Sequence, residues 1–181
     1  MLRAVIRVSD ALDRLCRWGA VACLGAMLLF VTIQVVARYG FAQPPAWTEE
    51  LTRFAMVWGG LLGATIAFKA RFDPALVSVP ASRGRVIVTG AALVAAAAVL
   101  IFVLPVLYYS LFGADWSVSQ GFIARSAGRT ADAVGFSLAW IAAAVPFAMA
   151  VIVVHLMARL AGDKTGLEED GPGMDAEQET A

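Results

Sequence analysis

Formal charge is scarce in this chain, and its absence is patterned. Only 15% of the 181 residues are charged, against 60% hydrophobic, an apolar share well outside that of soluble domains. No Asp, Glu, Lys or Arg interrupts residues 19–37, 54–68, 86–114 or 133–158. Histidine is nearly absent as well, with His155 alone; one histidine cannot supply two axial ligands to a haem, and no Cys/His cluster has metal-binding spacing. There is no G-x-x-x-x-G-K-[ST] phosphate loop and no H-E-x-x-H. The few serines have no histidine placed to activate one. The two cysteines, Cys16 and Cys23, lie seven residues apart, about 10 Å along one helix, too far for a disulfide. These absences leave no catalytic residue, cofactor or metal site to expect. The balanced net charge of +0 does not suit nucleic acid either.

What is present is apolar length. A bilayer core about 30 Å thick takes about 20 helical residues. Three of the uncharged runs reach that length, and the second does so if its helix starts near Thr48. The expected fold is all-α, an integral membrane protein with four transmembrane helices. Ten of the 14 basic residues, among them Arg3, Arg7, Arg14, Arg17, Lys69, Arg71 and Arg159, fall on one side of these spans. Arg38, Arg53, Arg125 and Arg129 fall on the other, so the positive-inside bias places both termini in the cytoplasm. A cleaved signal peptide is the competing reading of the first segment. An uncleaved anchor is preferred, because the apolar run is long and no convincing cleavage site precedes Arg38.

In chain order, residues 1–17 read as an amphipathic cytoplasmic surface segment, 18–161 as the membrane domain and 162–181 as an acidic disordered tail. Gln34 in the first span is an interfacial polar residue. Pro44 and Pro45 end the first helix, and Thr48 is the expected N-cap of the second, with Glu49 and Glu50 in its first turn, where the dipole favours anions. Arg53 is four residues from Glu49 and three from Glu50, so either carboxylate can pair with it. That pairing explains the three residues structurally. The functional alternative makes Trp47, Glu49, Glu50 and Arg53 a contact with another membrane subunit, and the two readings are compatible. In the second helix Ala55, Gly59, Gly63 and Ala67 recur every four residues, a ridge of small side chains that lets another helix approach closely. The pattern fits a partner helix of this chain and one of another chain equally. Trp58 lies off the ridge and suits packing. Pro105 favours a bend in the third helix, Tyr108 and Tyr109 mark an interface, and His155 near the end of the last span reads as an ordinary interfacial histidine.

The block Arg38-Tyr39-x-Phe41, Trp47-x-Glu49-Glu50-Leu51-x-Arg53, then Trp58 and Gly63-Ala64, resembles the small membrane subunit of tripartite ATP-independent periplasmic (TRAP) transporters, the DctQ-like type. The last span is similar too, from Gly135 to Trp140 and then Pro146-Phe147. One position departs: Arg71-Phe72-Asp73 has phenylalanine where the family often has histidine, which puts any role of that histidine in doubt. The resemblance implies a multi-pass protein of the bacterial inner membrane in a sodium-coupled secondary importer of organic acids. A periplasmic solute-binding protein would deliver the substrate, a large permease subunit would hold sodium and move it, and this chain would be a scaffold within the membrane lipid. Arg38, Trp47, Glu49, Glu50 and Arg53 would then be interface residues. Two other classes stay open: a small homodimeric transporter using Glu49 or Glu50, and a membrane adaptor of another complex.

Overall fold

The computed structural model describes residues 2–71, 85–113 and 116–163. Among them the fold is all-helical: α1 (Leu2–Phe41), α2 (Ala46–Lys69), α3 (Arg85–Leu111), α4 (Phe122–Ala127), α5 (Ala139–Ala142) and α6 (Ala144–Leu160), with one 3-10 turn at Val118–Gln120. Among the described residues the only bridge is the isolated pair Thr130–Ser137. Four helical stretches are long and apolar enough to cross a bilayer; the last, Ala139–Leu160, combines α5 and α6. The expected all-α, four-span architecture is therefore the one observed. The Phe72 position and the acidic tail beyond Asp163 lie outside the described residues.

The residues before the first uncharged run and the run itself form one helix, α1, which continues unbroken from Leu2 to Phe41. The physical reason is a seam of small and apolar side chains at seven-residue intervals, Ser9, Cys16, Cys23 and Phe30, which keeps one face of α1 turned to its neighbours across both segments. Ser9 meets α6 at His155. Cys16 is fully buried in a cluster with Leu62 and Val151. Cys23 faces Gly59, and Phe30 receives the edge of Trp47 at 6.2 Å.

Glycine makes this α1–α2 approach possible. A Cβ at Gly19 would sit 2.8 Å from Leu62 Cδ1, and one at Gly59 would sit 3.1 Å from Cys23 Cβ. Both distances are below ordinary carbon contact: at Gly19 the flexible end of Leu62 would have to turn aside, and at Gly59 the Cys23 Cβ would have to give by a few tenths of an ångström. The ridge on α2 is thus divided. Gly59 faces α1, whereas a Cβ at Gly63 would meet nothing within 4 Å. Trp58 is indeed a packing residue, tilted against Phe147 at 5.9 Å with its indole N–H donating to the Trp140 carbonyl at 3.2 Å.

Where the N-terminal end of α1 meets the ends of α2 and α6, the seam becomes polar. Ser9 Oγ lies 2.8 Å from His155 Nδ1, and Lys69 Nζ lies 2.5 Å from Asp10 Oδ1. Lys69 is drawn in to 4% side-chain exposure while Asp10 keeps 48%. This pairing removes the cost of a bare buried ammonium. The expectation that His155 is an ordinary interfacial residue is corrected here: it is 3% exposed and joins α1 to α6.

The α1–α2 corner is also shaped by length. With Trp47 beside Phe30, α1 continues eleven residues to Phe41, an overhang of about 16 Å at 1.5 Å per residue. Five extended residues span about 17 Å, so the link through Ala42 and the two prolines can return the chain to Ala46. Ala42 turns it with φ +53°, and Pro45 is extended at φ −71°, ψ 130°.

The two glycines of the ridge should respond differently to enlargement. Gly59→Leu is expected to destabilise the purified protein by about 1–3 kcal/mol through overpacking against Cys23. Gly63→Leu, facing open space, should change the melting temperature in detergent little. Equal losses would show that the α1–α2 contact is not the tight one.

Candidate functional site

The five residues singled out around the first corner do not form one cluster. Arg38 is exposed on the α1 overhang beside the exposed Tyr39 and Phe41. Trp47 stands 39% exposed at the start of α2, its edge against Phe30. Glu49, Glu50 and Arg53 occupy the first two turns of α2. The ridge residues Ala55, Gly59, Gly63 and Ala67 continue the same helix toward the opposite end, all partly buried.

The N-cap of α2 lies three residues earlier than the sequence suggests. Pro45 is the N-cap residue and supplies no side-chain bond. Thr48 is not the cap. It is fully buried and its hydroxyl donates to the Pro45 carbonyl at 2.7 Å, while Thr52 donates likewise to the Thr48 carbonyl at 2.7 Å. Proline suits this junction because its fixed φ and missing N–H fit the entrance to a helix.

The two carboxylates take separate partners. Arg53 pairs with Glu49 one turn away, both more than half exposed, and such solvated pairs contribute little to stability. Glu50 does not share Arg53. Its Oε2 accepts from the backbone N–H of Ala133 at 3.0 Å and of Val134 at 3.1 Å. Those amides lie at the tip of a tight turn, where Ala131 N–H donates to Phe136 O and Gly135 N–H to Ala131 O, each at 2.8 Å. Gly135, at φ +72°, supplies the left-handed residue the turn needs. An ionised acceptor facing two amides makes the stronger kind of hydrogen bond, so Glu50 fastens this turn to α2 across 83 residues of sequence.

Between the turn and α2 lies an open cleft of about 430 Å³, lined by Glu50, Arg53, Phe54, Arg129, Asp132 and Leu138 among others. It presents two guanidinium and two carboxylate groups around apolar walls. Arg129 and Asp132 join the site although the sequence marks them only as loop charges. Their place depends on a contact between distant segments that no local pattern signals. The loop beneath the turn is built closely. A Cβ at Gly121 would run into the Leu111 carbonyl, and one at Gly113 into Gln120. Tyr108, Phe112 and Trp116 stack beside it, with Tyr108 and Trp116 centroids 5.1 Å apart. No group of three His, Cys, Asp or Glu side chains converges as a metal site among the described residues.

Residues 27–165 match the family model described as tripartite ATP-independent periplasmic transporters, DctQ component. The chain is also similar to a TRAP transporter small permease protein of Haemophilus influenzae, at 36% identity over 69 residues. That alignment covers 38% of this chain and 40% of the relative.

Replacing Glu50 with Ala should release the turn. Amide exchange at Ala133 and Val134 is expected to accelerate, by about tenfold for a loss of ~1.4 kcal/mol. Glu49→Ala should leave both amides protected. Equal protection in the Glu50 variant would remove the fastening role.

Proposed function

The chain belongs to the DctQ-component family of tripartite ATP-independent periplasmic transporters, and from that premise we propose that it is the small permease subunit of a sodium-coupled importer of organic acids. In this reading it is a multi-pass protein of the bacterial inner membrane with both termini in the cytoplasm. A large permease subunit packs beside it, holds the sodium ions and moves the substrate, while this chain supplies no catalytic group and no cofactor. The end bearing Arg38, Trp47, Glu49, Glu50 and Arg53 faces the periplasm and helps dock the solute-binding protein.

The observation that supports this reading most directly is the placement of ionisable groups. Within the spans of the described residues they are confined to the two ends. The charged residues of α1 up to Arg17 stand at one, with Lys69, His155 and Arg159, and Arg38, Glu49, Glu50 and Arg53 stand at the other. An ion-coupled carrier needs titratable or ion-binding groups along its path, so a chain whose span centres carry none suits a fixed scaffold. The cleft at the end that faces the periplasm in this reading suits docking. It is open, its charges are of both signs, and Glu50 holds one wall in place, which reduces the ordering cost of binding. The exposed Tyr39, Phe41 and Phe136 on the same end add aromatic surface of the kind enriched at interfaces.

Extraction of the tagged full chain from native membranes in mild detergent is expected to recover a large multi-span permease and a periplasmic binding protein. Recovery of this chain only with itself would overturn the scaffold reading in favour of a small autonomous transporter. Within a recovered assembly, the exposed pair offers the sharper test. Glu49→Gln with Arg53→Gln should leave the large permease bound yet lower uptake about three- to tenfold, as expected for lost interfacial contacts worth about 1 kcal/mol or slightly more. Unchanged uptake would remove these two side chains from the docking surface.

A further inference from the structure

At the end of the molecule opposite the cleft, His155 carries an unresolved hydrogen-bonding demand. Its Nδ1 is occupied by Ser9. Its Nε2 is buried and has no partner, although the residue is only 3% exposed. A buried polar nitrogen left in this state is costly and normally finds a ligand or a water.

The nitrogen's residue lines a polar recess of about 10 Å³, with Phe68, Lys69, Arg71, Arg159 and Asp163 around it. A volume of that size admits one oxygen atom, about that of a single water. The lining is rich in donors: an ammonium and two guanidinium groups against one carboxylate. Lys69 is bonded to Asp10 on its far side, Arg71 donates to the Asp163 backbone carbonyl at 2.7 Å, and Arg159 lies over the Phe68 ring at 5.4 Å. A guanidinium has five N–H groups and Arg71 donates from Nη2 to Asp163, so Arg71 keeps donors for a ligand. With the Ser9 hydroxyl assigned as donor to Nδ1, the ring proton sits on Nε2; the complementary ligand is then an anionic oxygen, and Arg and Lys together favour phosphate.

The second feature adjoins the first through Phe68. On the membrane side of that ring an apolar groove of about 390 Å³ opens between α2, α3 and α6, lined by Val99, Phe102, Met149 and Ile152 with Phe68 itself. It lies within the membrane-spanning stretches, where its natural occupant is hydrocarbon. A donor-lined recess at the end of a span and an apolar groove running from it into the membrane match the two parts of one molecule. We propose that this is a phospholipid site: the phosphate of an anionic headgroup sets one oxygen toward the recess formed by His155, Arg71 and Arg159, and an acyl chain lies in the groove beside Phe68. Free phosphate would satisfy the recess but leave the groove unused, and basic pockets between spans are suited to acidic headgroups. The proposal depends on the chain's spanning a membrane and not on its docking role.

A photoactivatable diazirine side chain of about leucine size, placed at Ile152 in the full-length protein and irradiated in native membranes, tests it. The same probe at Ile101, a 75% exposed position on α3, reports the surrounding lipid. Mass analysis is expected to show phospholipid adducts at 152 enriched in phosphatidylglycerol or cardiolipin by about fivefold over those at 101, the ratio for about one interfacial cation. In Arg71→Gln with Arg159→Gln the enrichment should fall to the level at 101. Adducts of the same composition at both positions would overturn the proposal, with no variant required. Adducts to protein at 152 would also overturn it, since the groove would then be a subunit interface. Wild-type enrichment that survives both substitutions would remove the two arginines, and with them the headgroup site.

Discussion

The structure depends on how closely α1 and α2 can approach. In a bilayer the hydrophobic effect gives helices no reason to prefer one another over lipid, so packing contact must supply the difference. Here the contact is made where Gly19 admits Leu62 and Gly59 admits Cys23. Gly19 lies on α1 between Cys16 and Cys23, and Gly59 meets the seam from α2 at Cys23; the seam continues to Ser9 at one end and to Phe30 at the other. α6 then docks on this pair through Val151 and Phe147, and α3 packs on α6. The hairpin thus sets the frame, and the remaining spans are added to it.

At each end the frame is closed by polar bonds between segments far apart in sequence. Glu50 holds the turn at Ala133 and Val134, and Ser9 and Asp10 hold His155 and Lys69. Apolar packing alone leaves helices able to slide by a turn, since one methyl-sized contact resembles the next. A directional bond between a carboxylate and two amides, or between a hydroxyl and an imidazole, has no equivalent one turn away. In this protein the polar bonds fix register while the seam supplies the contact.

Much of this was legible before any coordinates, and the reasons are physical. Four spans follow from uncharged runs because hydrocarbon admits little else. The Glu49–Arg53 pair follows from helical spacing, and Trp58 as a packing residue follows from its place off the ridge. What escaped notice falls into two kinds. Some of it is a pattern present in the sequence: the seven-residue recurrence of Ser9, Cys16, Cys23 and Phe30 marks one continuous face of α1. The rest has no local signature. Thr48 looks like a cap and is instead buried behind Pro45. Glu50 finds amides 83 residues away, and His155 finds a serine 146 residues earlier. Such partners are set by the assembled bundle, so only the bundle identifies them.

The separation between Ser9 and His155 has a consequence for how the chain is made. At about 5–20 residues per second, the separation of 146 residues takes roughly 7–30 s to synthesise. The α1–α2 hairpin can form and seat its glycines well within that interval, because its contacts need only the first 69 residues. During it Ser9 stands beside a vacant place, and the imidazole that fills it arrives with the last span. Insertion of α6 is thus the event that completes the bundle. A nascent chain stalled before His155 would leave the ribosome with its hairpin formed but that end unsealed, a recognisable target for membrane quality control.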